Sequence, residues 1–158
     1  MLPRRSLALL GLSLLLSGCP TPPSPAERAG DAARELNMAA RWGQVDVAAG
    51  FAADDARQEF LMRRAAWGGP VRIIDTELAG IQLEDATSAT VYVDVSWVRL
   101  DETTLRVTRL EQKWTARSGG WRMVEEQRQG GDLGLFGEEV DRGGKPGPPA
   151  RFPTTVIR

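Results

Sequence analysis

The chain has 158 residues, enough for one compact domain and too few for two ordinary ones. Hydrophobic residues make up 42% and charged residues 26%, so most of it should fold; 20 basic against 21 acidic side chains give a net charge of −1, which argues against a nucleic-acid binder. With no histidine and one cysteine, the sequence excludes His-based acid–base catalysis, Ser-His-Asp and Cys-His nucleophiles, Cys/His zinc sites, an intramolecular disulfide and CxxC redox chemistry.

Arg4 and Arg5 precede a leucine-rich run over residues 7–16, then Ser17, Gly18 and Cys19. The run is too short to cross a bilayer, which takes about 20 apolar residues, and suits the apolar core of a secretory signal. Leu16-Ser17-Gly18-Cys19 resembles the lipobox of bacterial lipoproteins. That resemblance implies removal of residues 1–18 and attachment of acyl chains at Cys19, the sole cysteine. Two or three chains anchor a protein stably, whereas one binds reversibly. Pro20 stands where aspartate would favour inner-membrane retention. By the same resemblance the expected address is therefore the outer membrane of a bacterial envelope, facing the periplasm. The mature chain carries 18 basic and 21 acidic groups, a net charge of −3, so the acyl chains must supply the membrane attachment.

Residues 19–24 read as a proline-rich tether, semi-rigid because Pro20, Pro22 and Pro23 favour extended backbone. Ser24, Pro25 and Glu27 form a capping-box signature, and Ala29, Ala33, Leu36 and Ala40 follow at helical spacing, predicting a helix over 25–41. Gly43 stops it. A short helix is expected over 45–51. A third starts at Asp54 or Asp55 and runs to residue 66, with Phe60, Leu61 and Ala65 in the core and Arg63-Arg64 on a solvated face. Gly68-Gly69-Pro70 ends the helical part.

The period then becomes alternating. Strands are expected over 71–83, bent around Gly80, over 87–100, over 105–116 and over 121–128, joined by tight turns into an antiparallel meander. The apolar parity of the third strand shifts between Val107 and Leu110, which predicts a bulge. The expected domain spans 25–130. Residues 131–158 form a mostly irregular Gly/Pro-rich tail, whose Leu133, Leu135 and Phe136 are candidates to dock on the core. Glu138, Glu139 and Asp141 read as solvated rather than as a metal site.

Helices followed by a long curved antiparallel sheet make an α+β plan. A helix ending in Trp42-Gly43-Gln44-Val45-Asp46, a further helix through Phe60, and strands closing with Trp114, Gly119-Gly120 and Trp121-Arg122-Met123-Val124 resemble the nuclear transport factor 2-like superfamily. These are cones in which a bent four-stranded sheet wraps around helices. A cystatin-like or other helix-on-sheet domain is the neighbouring alternative. The superfamily includes isomerases, cyclases and dehydratases as well as non-catalytic binding modules, so the resemblance alone does not choose among them.

Parity places Val91, Val93, Val95, Trp97, Leu110, Gln112, Trp114, Trp121, Met123 and Glu125 inward, with Tyr92, Asp94 and Ser96 outward. Trp97, Gln112, Trp114, Trp121 and Glu125 are thus the candidate lining of any hollow. Strand tryptophans ordinarily pack, so a filled core with Glu125 at its rim is the simpler reading. A hollow would take an apolar ligand oriented by Glu125. An isomerase or cyclase would need Glu125 as acid or base, but the catalytic His–Asp pairs of the superfamily have no counterpart here. No catalytic residue, cofactor or metal ligand is assigned. The expected partners are the bilayer through Cys19, an apolar small ligand or an envelope protein, and a second copy of the chain; no nucleic acid is expected. The sequence-level reading is a non-catalytic binding or interaction module, with the isomerase-like enzyme as its alternative.

Overall fold

The computed structural model describes residues 22–140. The signal segment, Cys19, the start of the tether and the tail from residue 141 onward lie outside the described residues. Three helices, α1 (Pro25–Arg41), α2 (Val45–Ala49) and α3 (Arg57–Arg63), are followed by a 3-10 turn (Arg64–Ala66). Then come four strands, β1 (Val71–Leu83), β2 (Ser88–Arg99), β3 (Arg106–Arg117) and β4 (Gly120–Gly131). The strands form one antiparallel sheet in the order β1-β2-β3-β4, as the short turns require.

The capping box of α1 is formed: the Glu27 N–H donates to Ser24 Oγ at 3.2 Å and the Ser24 N–H donates to Glu27 Oε2 at 2.6 Å. Ala29, Ala33, Leu36 and Ala40 lie on its buried face, and Gly43 turns the chain with φ of 74°. Helix α2 is shorter than expected. Helix α3 starts later, with no side-chain cap, because Asp54 pairs with Arg57 instead of capping the helix. Ala65 is exposed, against expectation, since the helix tightens into the 3-10 turn there.

The central strands β2 and β3 pair without interruption, while both edge strands carry bulges. On β1 the extra residues are Ile74 and Ala79, the latter beside Gly80 where a bend was expected. On β4 they are Val124 and Gln129. The parity shift on β3 is not a bulge of that strand. Thr108 faces inward with Leu110, Gln112 and Trp114, and Val107 takes the outer face. Inward hydroxyls hide a strand's period from a hydrophobicity pattern.

The core joins α1 and α3 to the inner sheet face through Leu36, Phe60, Val91, Val93, Val95, Trp97, Leu110, Trp114 and Met123. The chain beyond β4 docks in part: Leu135 is fully buried and Phe136 packs on the core, held where Trp67 Nε1 donates to the Leu135 carbonyl at 3.0 Å. Leu133 remains exposed.

Candidate functional site

Of the five residues expected to line a hollow, four are packed instead. Trp97, Gln112, Trp114 and Trp121 are all buried, and Trp97 Nε1 donates to Thr108 Oγ1 at 2.9 Å. The cone is filled at this level. Glu125 is a correction: it lies on the outer face, half exposed, and accepts from Lys113 Nζ at 2.8 Å. The bulge at Val124 reverses the parity of β4, so Glu126 points inward in its place. The bulge sits next to Met123, whose N–H and carbonyl are taken by Phe51 and Ala53 at 2.9 and 2.8 Å, covering the β4 edge.

Inside, Arg64 meets Glu126 in a fork: Nη1 donates to Oε1 at 2.8 Å and Nη2 to Oε2 at 2.7 Å. Arg64 was expected on a solvated face, yet it is buried, because it stands one helical turn beyond buried Phe60 on the same face. Its guanidinium lies 3.7 Å from the Phe60 ring centre and 4.8 Å from that of Trp67. Gln112 Nε2 donates to Glu126 Oε2 at 2.8 Å and to Asn37 Oδ1 at 3.1 Å. Asn37 Nδ2 returns a bond to Gln112 Oε1 at 3.1 Å and donates to the Ala33 carbonyl at 2.8 Å. Arg63 closes the arrangement by donating to the Glu126 carbonyl at 2.7 Å. One polar chain thus links α1, β3, β4 and the 3-10 turn.

Burial by itself would raise the carboxyl pKa of Glu126. The charge of Arg64, the hydrogen bonds from Arg64 and Gln112, and the charge of Arg63 together outweigh it and hold the group below its ordinary value. A carboxylate with both oxygens engaged and its pKa lowered is a poor general base. The cavity beside it, lined by Ala56, Phe60, Arg63 and Glu126, measures about 40 Å³, room for a water rather than a substrate.

The larger opening is a groove of about 230 Å³ between α1 and β1. Ala33, Met38, Leu78 and Val93 supply apolar lining, Asn37 comes from the buried polar chain, Arg34 and Arg41 come from α1, and Thr76 and Glu77 come from β1. The two arginines are paired with Asp31 and Asp75 at 2.6 and 2.7 Å. Sequence reasoning sought the hollow over the inner faces of β2, β3 and β4; Val93 of that set reaches this groove, but the opening lies along β1, to which no lining residue was assigned. The available signal was Arg34, Met38 and Arg41, spaced along one exposed flank of α1 beside its buried stripe.

No protein-family model matches the sequence, and no curated protein matches it either. Five chains of solved structures are similar, two of them as follows. One is the solution structure of a SEC-C motif containing protein from Rhodopseudomonas palustris, 15% identical over 66% of this chain and 80% of that one, with a TM-score of 0.54. The other is a protein of unknown function with a cystatin-like fold from Nostoc punctiforme, 16% identical over 67% of this chain and 90% of that one, with a TM-score of 0.50. At these identities the likeness shows the fold alone: helices packed on an open four-stranded antiparallel sheet, the cystatin-like, nuclear transport factor 2-like α+β arrangement.

Proposed function

We propose that the chain is a lipid-anchored envelope protein, acylated at Cys19, whose α+β domain is a non-catalytic binding module. The observation that carries the binding role is the groove between α1 and β1 in an otherwise filled cone. Its apolar floor, rimmed by the paired Arg34 and Arg41 and by Glu77, fits the slender apolar tail of an amphiphile. The enzyme alternative draws no support from the interior: Glu125 is outside, and Glu126 is committed to Arg64 and Gln112.

Two experiments test the two halves. Intact mass spectrometry of protein extracted from membranes should show residues 1–18 removed and acyl chains on Cys19, and Cys19→Ser should abolish both. An unmodified Cys19 with the leader still attached would remove the anchoring half. Single-chain amphiphiles such as oleate and monoolein should raise the melting temperature of the soluble domain, and Leu78→Trp, which fills the groove, should cancel the shift. Absence of a shift with every amphiphile would remove the binding half.

A further inference from the structure

The groove between α1 and β1 runs along the sheet edge that the described residues leave open. The edge of β4 is covered, since Phe51 and Ala53 bond Met123 and Arg63 bonds the Glu126 carbonyl. Over 72–83, by contrast, no backbone bond beyond those to β2 is made among the described residues. The Thr76 N–H turns to the carboxylate of its own neighbour, Asp75, at 2.8 Å. An open edge beside an apolar floor suits an extended peptide, which pairs its backbone with the strand and sends alternate side chains into the groove. The charges of the rim leave one unmatched. Arg34 and Arg41 pair with Asp31 and Asp75, whereas Glu77 has no ion pair among the described residues.

The chain supplies a peptide of this kind within reach. Gly134 packs between Val140 and Trp97, where an added Cβ would stand 3.0 and 3.1 Å from their side chains, and Gly137 packs as closely on Ala66. Trp97 faces inward and pairs with Ile73 of β1. Val140 therefore stands on the helix-bearing face of the sheet, near the start of β1. From Ile73 to Leu78 is five residue steps, about 17 Å of strand. From Val140 to Phe152 is twelve steps, a reach of up to about 40 Å. Residues 143–149 read Gly-Gly-Lys-Pro-Gly-Pro-Pro, a linker composition. Residues 152–157 read Phe-Pro-Thr-Thr-Val-Ile, a strand-forming run between Arg151 and Arg158. Pro153 is compatible with an edge strand, where its missing N–H costs no ladder bond.

We propose that residues 152–157 lie along β1 as an added strand and occupy the groove, with Phe152, Thr154 and Val156 turned to its floor and the flanking arginines offsetting Glu77. The tether that joins them to the domain gives the segment a high effective concentration at the groove, so a contact too weak for a free peptide is populated in the intact chain. This rests on the reading of the groove as the binding site and adds its regulation. An amphiphile enters by displacing the segment, so its apparent affinity is reduced by the fraction of chains whose groove is open.

The test uses residues 19–158 with Cys19→Ser, which removes the sole cysteine. Val156→Cys is combined either with Met38→Cys in the groove or with Met62→Cys on α3. Met62 is as exposed as Met38 and lies one turn from Ala66, beside the path of the chain at Gly137, so an unseated segment meets it at least as readily. Under glutathione disulfide the Met38 pair should close its disulfide at least tenfold faster than the Met62 pair. Phe152→Asp with Thr154→Asp, or Leu78→Trp, should abolish that difference. Equal rates, or a preference that survives both changes, would overturn the proposal. In the chain without added cysteines, Phe152→Asp with Thr154→Asp should tighten monoolein binding at least threefold, and an unchanged affinity would overturn the competition. The disulfide rates involve no amphiphile, so a groove that binds none is told apart from a segment that is not seated in it.

Discussion

Arg64 and Glu126 form a bidentate ion pair inside the domain, with side chains 0% and 3% exposed. The pair stands between Phe60 and Trp67 on one side and Gln112 on the other. Its desolvation is offset by the fork geometry and by Gln112, so its main contribution is to fix where the 3-10 turn meets β4. Gln112 passes that constraint to Asn37, and so to the spacing of α1 over β1 at the groove.

Removing one partner leaves the other charge buried and uncompensated. Arg64→Met and Glu126→Leu singly are each expected to cost about 3–5 kcal/mol. The double variant should recover most of the loss, since an apolar pair of similar volume replaces both charges. Urea denaturation of the four proteins measures the coupling; losses that simply add would show that the two groups do not act as a unit.

The same pair gives the domain an acid dependence of fixed sign. Glu126 has a folded pKa below its ordinary 4.5, because the charge and hydrogen bonds around it overcome the opposing effect of burial. Its contribution is therefore fully present above that ordinary value and is lost as pH falls through the lowered folded value. Stability should decline from about pH 4.5 downward, and Glu126→Gln should flatten that part of the profile while lowering stability at neutral pH. Denaturation midpoints between pH 3 and pH 7 would show it, and equal slopes in parent and variant would contradict it.

Trp97 is the centre of the apolar side of the fold. It is fully buried, donates to Thr108 and lies under Gly134, where a Cβ would come within 3.1 Å of its ring. Trp97→Ala should cost about 3–5 kcal/mol through lost transfer energy and the cavity left behind. Thr108→Val should cost about 1–3 kcal/mol, because it strands the buried indole N–H. Tyr92, half buried on the outer face, should cost less than Trp97 when truncated. Chemical denaturation of the three variants provides the ranking.

The first helix and the alternating strands were legible because each local signal agreed with the tertiary demand. Ser24, Pro25 and Glu27 start α1 as their types require, and the valines of β2 bury one face. The inward carboxylate was not legible. Glu125 and Glu126 are adjacent and chemically alike, and the bulge at Val124 that chooses between them has no glycine or proline to mark it. Burial of Arg64 could have been read from its spacing to Phe60, but an arginine on an apolar stripe is credible only once its carboxylate is known, and Glu126 is 62 residues away. In line with its outer position, Glu125→Gln is expected to leave the denaturation midpoint unchanged.

The end of β4 offers a test in which two neighbouring glycines should behave differently. Gly131 has φ of 85°, a region that side chains with a Cβ enter at a cost, and a Cβ there would collide with the Val107 carbonyl oxygen and stand 2.9 Å from Thr108 Cα. The Val107 and Thr108 backbone cannot retreat, because Asp132 binds both residues: its carboxylate accepts from the Val107 N–H at 2.9 Å and its carbonyl from Thr108 Oγ1 at 2.7 Å. Gly130 has neither constraint, with nothing within 4 Å of an added Cβ. Gly131→Ala should therefore destabilise by about 2–3 kcal/mol, combining backbone strain with the collision. Gly130→Ala should stay within about 0.5 kcal/mol of the parent. The damage should extend along the chain, since Leu135 and Phe136 are placed by this exit from the sheet, so amide exchange near Leu135 should accelerate in the Gly131 variant alone. Equal midpoints for the two variants would show that the close approach of Gly131 to β3 is not a constraint on the fold.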